Sequence, residues 1–212
     1  MDELNLIQKI SVFALPVIFA ITGHEAAHAY AARHFGDNTA YLEGRMTLNP
    51  LRHIDWIGTV LLPLVCVAVG GFIFGWAKPV PVRFGNLRHP KRDMLWVSAA
   101  GPGANLLMAV LWALMFKLAL GMNNDYTEPL ALMAQAGMLI NVMLMALNLL
   151  PIPPLDGGRM LMSVLPNRQA WQLSRLEPYG MWILIALMFT GLLSLLMNPL
   201  IKACYRFLNA LL

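Results

Sequence analysis

The sequence predicts an all-α polytopic membrane protein: a bundle of about four to five transmembrane helices, a re-entrant segment, and a short interfacial β-strand or hairpin. Three observations carry that prediction. Of the 212 residues, 58% are hydrophobic and 12% are charged, whereas a soluble domain carries about 25% charged residues. Several stretches run for about 20 residues with one charge or none, the length that crosses a hydrocarbon layer about 30 Å thick. The polar residues that do interrupt these stretches include His, Glu, Asp and Asn. Such groups are costly in an apolar setting unless something partners them.

Leu4 to Gly23 holds a single charge, Lys9, and is long enough to cross a bilayer. Met1-Asp2-Glu3 lacks a basic n-region and no small-residue cleavage site follows, so this run is read as an uncleaved span. Pro16 is expected to kink it. The same helix should continue through His24-Glu25-Ala26-Ala27-His28 to about His34 and stop near Gly36-Asp37-Asn38. His34 there is a helix-terminal polar residue, favourable against the dipole. Thr39 to Asn49 alternates loosely and holds Thr, Tyr and Leu, which predicts the short strand or hairpin. An exposed strand edge there can pair with an extended chain.

Trp56 to Ala77 is uncharged but is broken by Pro63 and Gly70-Gly71, and Gly71 and Gly75 make a GxxxG pair suited to close packing. Prolines then hold Lys78-Pro79-Val80-Pro81-Val82 extended. A basic stretch follows with Arg83, Arg88, Lys91 and Arg92, in which His89 reads as a surface residue. Met94 to Leu120 carries only Lys117, near its end, and contains Gly101-Pro102-Gly103-Ala104-Asn105. That spacing fails the phosphate-binding GxGxxG pattern, and its small residues let another helix approach. After a short acidic loop, Asn123 to Glu128, the uncharged run Pro129 to Leu155 leads into Asp156-Gly157-Gly158-Arg159. A helix from Gly157 to Leu165, a fifth apolar segment from Gly180 to Ile201, and an amphipathic or fraying tail with Lys202 and Arg206 complete the chain. Cys66 and Cys204 form no CxxC pair and read as small buried hydrophobes. Residues 1–212 form one domain, with no room for a large soluble module. The net charge of +4 reports which loops face the cytoplasm and is not a nucleic-acid signal.

The chemistry centres on HEAAH. Residues four apart on a helix lie on one face, so His24 and His28 can bind one metal ion while Glu25 serves as general base. Catalytic zinc usually keeps three protein ligands and an open position. Asp156 is the best third candidate: three prolines unwind the chain before it, which membrane proteins tolerate around a wet cavity, and Gly157 and Gly158 allow close approach. The alternative is that Asp156 only caps the helix after it.

HEAAH together with NLLPIPPLDGG resembles the site-2 protease family of intramembrane zinc metalloproteases, in a compact branch without a PDZ domain. The resemblance runs from about Phe19 to Arg159 and takes in Gly101-Pro102 and Gly75 to Val82. It implies Zn2+ held by His24, His28 and Asp156, with Glu25 as the catalytic glutamate. It implies that Asn148 positions substrate or stabilises the oxyanion. The implied reaction is hydrolysis of peptide bonds within or near transmembrane helices of protein substrates, by zinc-activated water.

The ligands must meet at one ion, so an even number of crossings should separate them. Three apolar segments lie between, and Trp56 to Ala77, the most interrupted, is therefore expected to dip in and return. Arg33, Arg45, Arg52, Lys78, Arg83, Arg88, Lys91, Arg92, Arg159, Arg168 and Arg175 then share one face, with Asp125 and Glu128 on the other. The positive-inside rule makes the basic face cytoplasmic, the N-terminus external and the metal nearer the cytosol; the membrane is the cell membrane if the source is prokaryotic. His53 reads either as a cleft residue or as an interfacial loop residue. A membrane metal transporter or metal-binding scaffold with the same three ligands is the competing function.

Overall fold

The fold is that of a computed structural model, which describes residues 5–61, 78–122 and 124–212. Helix α1 spans Leu6–His34. It opens on a capping box, in which the Asn5 side chain accepts from the Gln8 N–H and the Gln8 side chain accepts from the Asn5 N–H. It closes where Gly36 takes a φ of 112°, a left-handed conformation that glycine adopts without steric cost. Then follow α2 (Thr39–Leu42), α3 (Pro90–Gly121), α4 (Thr127–Asn148), α5 (Asp156–Val164), α6 (Asn167–Ser174), α7 (Gly180–Phe189) and α8 (Leu192–Asn209). Ile7–His34, Pro90–Gly121 and Thr127–Asn148 are long and apolar enough to cross a membrane. The protein is therefore an all-α, multi-pass membrane protein.

Helix α3 is the central strut. It runs antiparallel to α1, because His28 meets Val97 while His24 meets Asn105. It runs antiparallel to α4 as well, because Asn105 meets Asn141 while Trp112 lies on Gly137. Helices α1 and α4 therefore point the same way, and their C-terminal ends lie at the same end of the bundle. Small residues permit this close packing. A Cβ on Gly137 would stand 2.2 Å from Cδ2 of Trp112. The main core joins Ala109, Trp112 and Ala113 of α3, Ala134, Met138, Val142 and Met145 of α4, and Cys204 and Leu208 of α8. Cys204 is thus a buried small hydrophobe, as expected; Cys66 lies outside the described residues.

Three sequence expectations need correction or bounding. The strand expected within Thr39 to Asn49 is helix α2 followed by turns, and no strand occurs among the described residues. Asp37 explains the difference. Its Oδ1 accepts from the Thr39 N–H at 3.0 Å and the Thr39 hydroxyl at 2.5 Å, and its Oδ2 accepts from the Arg83 N–H at 2.7 Å. These bonds fix a turn at the start of the segment, and Gly44 at φ 63° closes it. β-Propensity is context-dependent and yields to such local capping. Next, the apolar segment Gly180 to Ile201 is not one helix. Thr190 and Gly191 break it, with Gly191 at φ 74°, and Asn167–Phe189 meets Leu192–Asn209 at 86°. A left-handed glycine ends a helix at low cost.

Finally, the stretch from Trp56 to Ala77, which the sequence predicts to dip in and return, falls, beyond residue 61, outside the described residues. Its first residues, Trp56–Leu61, form a π-helical turn. The residues flanking it, His53 and Lys78, are joined by a 2.9 Å bond from the Lys78 N–H to the His53 carbonyl. Both flanks therefore lie at one level of the bundle.

Candidate metal centre

The site is built where α1 crosses α3. His24 and His28 stand one helical turn apart on α1 and face three α3 residues that are also spaced by four: Val97, Gly101 and Asn105. The His28 Nδ1–H donates to the Val97 carbonyl at 2.7 Å, and the His24 Nδ1–H donates to Oδ1 of Asn105 at 2.6 Å. Both partners are acceptors, so each imidazole carries a proton on Nδ1, and in the neutral ring its Nε2 then presents a lone pair. The two Nε2 atoms are 3.1 Å apart. Two lone pairs cannot satisfy each other; a cation between them can. Gly101 makes the room. A Cβ there would stand 2.4 Å from His28 Nε2 and 2.7 Å from His24 Nε2.

Asp156 arrives from the other side. Helix α4 stops at Asn148, and Pro151, Pro153 and Pro154 supply no N–H to continue it. The chain instead packs onto α5: a Cβ on Gly157 would stand 2.3 Å from the Leu149 carbonyl, and one on Gly158 2.4 Å from the Pro153 nitrogen. This places Asp156 Oδ2 at 3.3 Å from His24 Nε2 and 3.2 Å from His28 Nε2. Asp156 does not cap its helix; it is the first residue of α5, and Leu155 holds the N-cap position. Oδ2 is buried without a hydrogen-bond partner. Tetrahedral ligands at about 2.0–2.2 Å from zinc lie about 3.3–3.6 Å from one another. Two imidazole nitrogens and one carboxylate oxygen, mutually 3.1–3.3 Å apart, fit that ion in donor type and in spacing. His24, His28 and Asp156 form the metal-capable cluster among the described residues.

Glu25 is half-buried, and its Oε2 accepts from the Val80 N–H at 2.7 Å. Val80 is the only N–H donor in Pro79-Val80-Pro81. The extended segment around it is gripped at both ends. Upstream, the buried Arg45 donates to the carbonyls of Lys78 and Pro79 at 2.8 and 3.3 Å; downstream, Asp37 takes the Arg83 N–H. His53 belongs to the upstream grip, through its carbonyl. It is a buried loop residue whose Nε2–H donates to the Thr47 carbonyl, and it is not part of the metal-capable cluster. Asn148 ends α4, and one of its amide hydrogens goes to the Leu144 carbonyl at 3.0 Å. His34 and His89 are exposed, as expected.

Burial raises the pKa of Asp37, but donation by the Thr39 hydroxyl, the backbone N–H groups of Arg83 and Thr39, and the Asn86 amide outweighs it. The carboxyl is held below its ordinary value.

Sequence reasoning missed Val97, Asn105, Asn141 and Val80. Two of these act through backbone groups, which leave no mark in residue type. Asn105 was detectable in principle, as the polar residue four beyond Gly101 in an apolar run.

Comparison with known proteins agrees with this geometry. The pattern of peptidase family M50 matches residues 122–191. YwhC of Bacillus subtilis, named as a candidate zinc metalloprotease, is 36% identical over 193 residues, covering 89% of this chain and 85% of its own. Rip2 of Mycolicibacterium smegmatis, named in the same way, is 30% identical over 201 residues, covering 91% of this chain and 73% of its own. Rip2 of Mycobacterium tuberculosis is 33% identical over 138 residues, covering 63% and 49%. No solved structure gave a significant match. The extent of the YwhC match, together with the M50 pattern over residues 122–191, makes this chain a member of peptidase family M50.

Proposed function

We propose that this zinc metalloprotease cleaves peptide bonds within or near the transmembrane segments of other membrane proteins, with His24, His28 and Asp156 as its zinc ligands. The observation that carries the reading is the convergence of two bare imidazole nitrogens and an unpartnered carboxylate oxygen, all buried, between helices apolar enough to cross a membrane. Zinc supplies Lewis acidity, which brings water's proton loss near neutral pH and polarises a carbonyl.

The chain's own residues do the rest. Glu25 accepts the proton of the attacking water and returns it to the leaving amide nitrogen as the C–N bond breaks. The Val80 N–H holds one carboxylate oxygen of Glu25, leaving the other for that proton. Asn148 keeps one amide hydrogen outside its bond to Leu144, available to a developing oxyanion. A substrate helix must unwind locally, since a helix engages its own carbonyls. Of the twelve Lys and Arg residues from Arg33 to Arg175, all but Lys117 lie in segments assigned to the metal end of the bundle. The positive-inside rule then puts that end in the cytoplasm.

The test is Glu25→Gln beside wild type, co-expressed with a panel of single-span membrane proteins. The variant should keep its zinc and lose cleavage by about 10²-fold or more. Undiminished cleavage would remove Glu25 as the base. A zinc flux that survives the substitution, with no cleavage by wild type, would favour transport.

A further inference from the structure

We propose that Asn105 and Asn141 form a hydrogen-bonded relay that fixes the tautomer and ring orientation of His24, and so sets the zinc affinity of the site. The inference rests on His24 being a zinc ligand. Both asparagines are fully buried, at 0% exposure, in adjacent membrane-spanning helices. Their orientations are not free. The Asn105 Nδ2 donates to the Ala20 carbonyl at 3.2 Å, an acceptor that accepts only, and to Oδ1 of Asn141 at 3.0 Å. With both amide hydrogens used, Oδ1 of Asn105 must face His24, which it does at 2.6 Å. The Asn141 amide is oriented in turn by donating to the Gly137 carbonyl at 2.9 Å. The chain therefore runs in one direction, from backbone carbonyls on α1 and α4 to Nδ1 of His24, and every link has a single allowed polarity.

The two imidazoles are controlled differently. His28 is set by a main-chain carbonyl, which no substitution at Val97 removes. His24 is set by side chains alone. Outer partners that hold a ligating imidazole are worth about 10- to 100-fold in metal affinity. Without the Asn105 acceptor, a buried Nδ1–H has no partner, and the ring gains by moving its proton to Nε2, where it blocks the metal. Asn141 touches neither histidine in this relay; it acts by holding Asn105. Both are positioning residues.

The experiment uses the full chain in detergent and measures zinc dissociation constants by competition with a chelator. The thermal midpoint of each zinc-free protein and the His24 ring-nitrogen NMR signal accompany them. Asn105→Leu should weaken zinc about 10- to 100-fold and shift the ring signal away from the Nδ1–H tautomer. Asn141→Leu should weaken it by several-fold. The double variant should equal Asn105→Leu alone, because Asn141 acts through Asn105. Wild-type affinity in Asn105→Leu, or losses that multiply in the double variant, would overturn the relay. If Asn105→Leu does not fold, Asn141→Asp, which keeps the acceptor, is compared with Asn141→Leu. The first should bind zinc like wild type and the second more weakly, and equal affinities would overturn the proposal. His24→Ala separates the two failures: if it binds zinc like wild type, the ligand assignment is at fault.

Discussion

Gly101 carries a role that no side chain could share. The two imidazoles occupy the volume in which any other residue would place its Cβ. Gly101→Ala must therefore push α3 from α1 or tilt the rings. Overpacking of this kind costs about 1–3 kcal/mol, which is about 5- to 150-fold in affinity if the metal site absorbs it. The expected outcome is a chain that still inserts and folds but releases zinc to a chelator that wild type resists. At this scale the sequence was informative where residue type and spacing bring side chains together, as in the cluster of His24, His28 and Asp156. It was uninformative where a partner is a carbonyl, as at Val97, or an N–H, as at Val80. Asn105 differs from both, because it is a polar side chain in an otherwise apolar run.

Among the elements, two irregular segments matter more than any helix. The proline-broken stretch 149–155 delivers Asp156, and it lies pressed onto three glycines. A Cβ on Gly180 would reach within 2.1 Å of the Pro153 carbonyl. Gly180→Ala should lift this stretch, draw Asp156 back from the imidazoles and lower the zinc content, a change read by metal analysis of the purified variant. The second segment is 78–83, which lays the Val80 N–H on Glu25. Arg45→Met removes the donors that hold Lys78 and Pro79. It should reduce cleavage about 10- to 100-fold, in keeping with misplacement by about 1 Å, while zinc content stays at the wild-type level. Loss of zinc in that variant would mean that Arg45 supports the bundle rather than the placement of Glu25.

The long apolar helices and the proline-broken end were legible because hydropathy and proline leave strong marks. The helical turn at 39–42 was not, since Asp37 draws its donors from residues up to 49 positions away. The break at Gly191 was masked by apolar residues on both sides.

At the scale of the whole molecule, the candidate site sits where two helix ends converge. The C-terminal ends of α1 and α4 meet at the metal, with His53 and Lys78 joined beside it, so the chain between His28 and Asp156 returns to the level from which it left. Acid should loosen the metal-side surface through Asp37. Its pKa is depressed in the folded chain, so its stabilisation is complete well above the ordinary carboxylate value and is lost as pH falls through the folded value. Asp37→Asn should lower the thermal midpoint at pH 7 by an amount equivalent to about 1–3 kcal/mol, and the gap to wild type should narrow below about pH 4. A gap that widens in acid would reverse the sign of this assignment.

The most direct test of the central claim is zinc K-edge X-ray absorption on the purified protein. Bound zinc should show a shell of nitrogen and oxygen at about 2.0–2.2 Å with imidazole scattering beyond it, no sulfur at about 2.3 Å, and loss of the signal in Asp156→Ala. A sulfur shell, or an unchanged spectrum at full occupancy in Asp156→Ala, would contradict it.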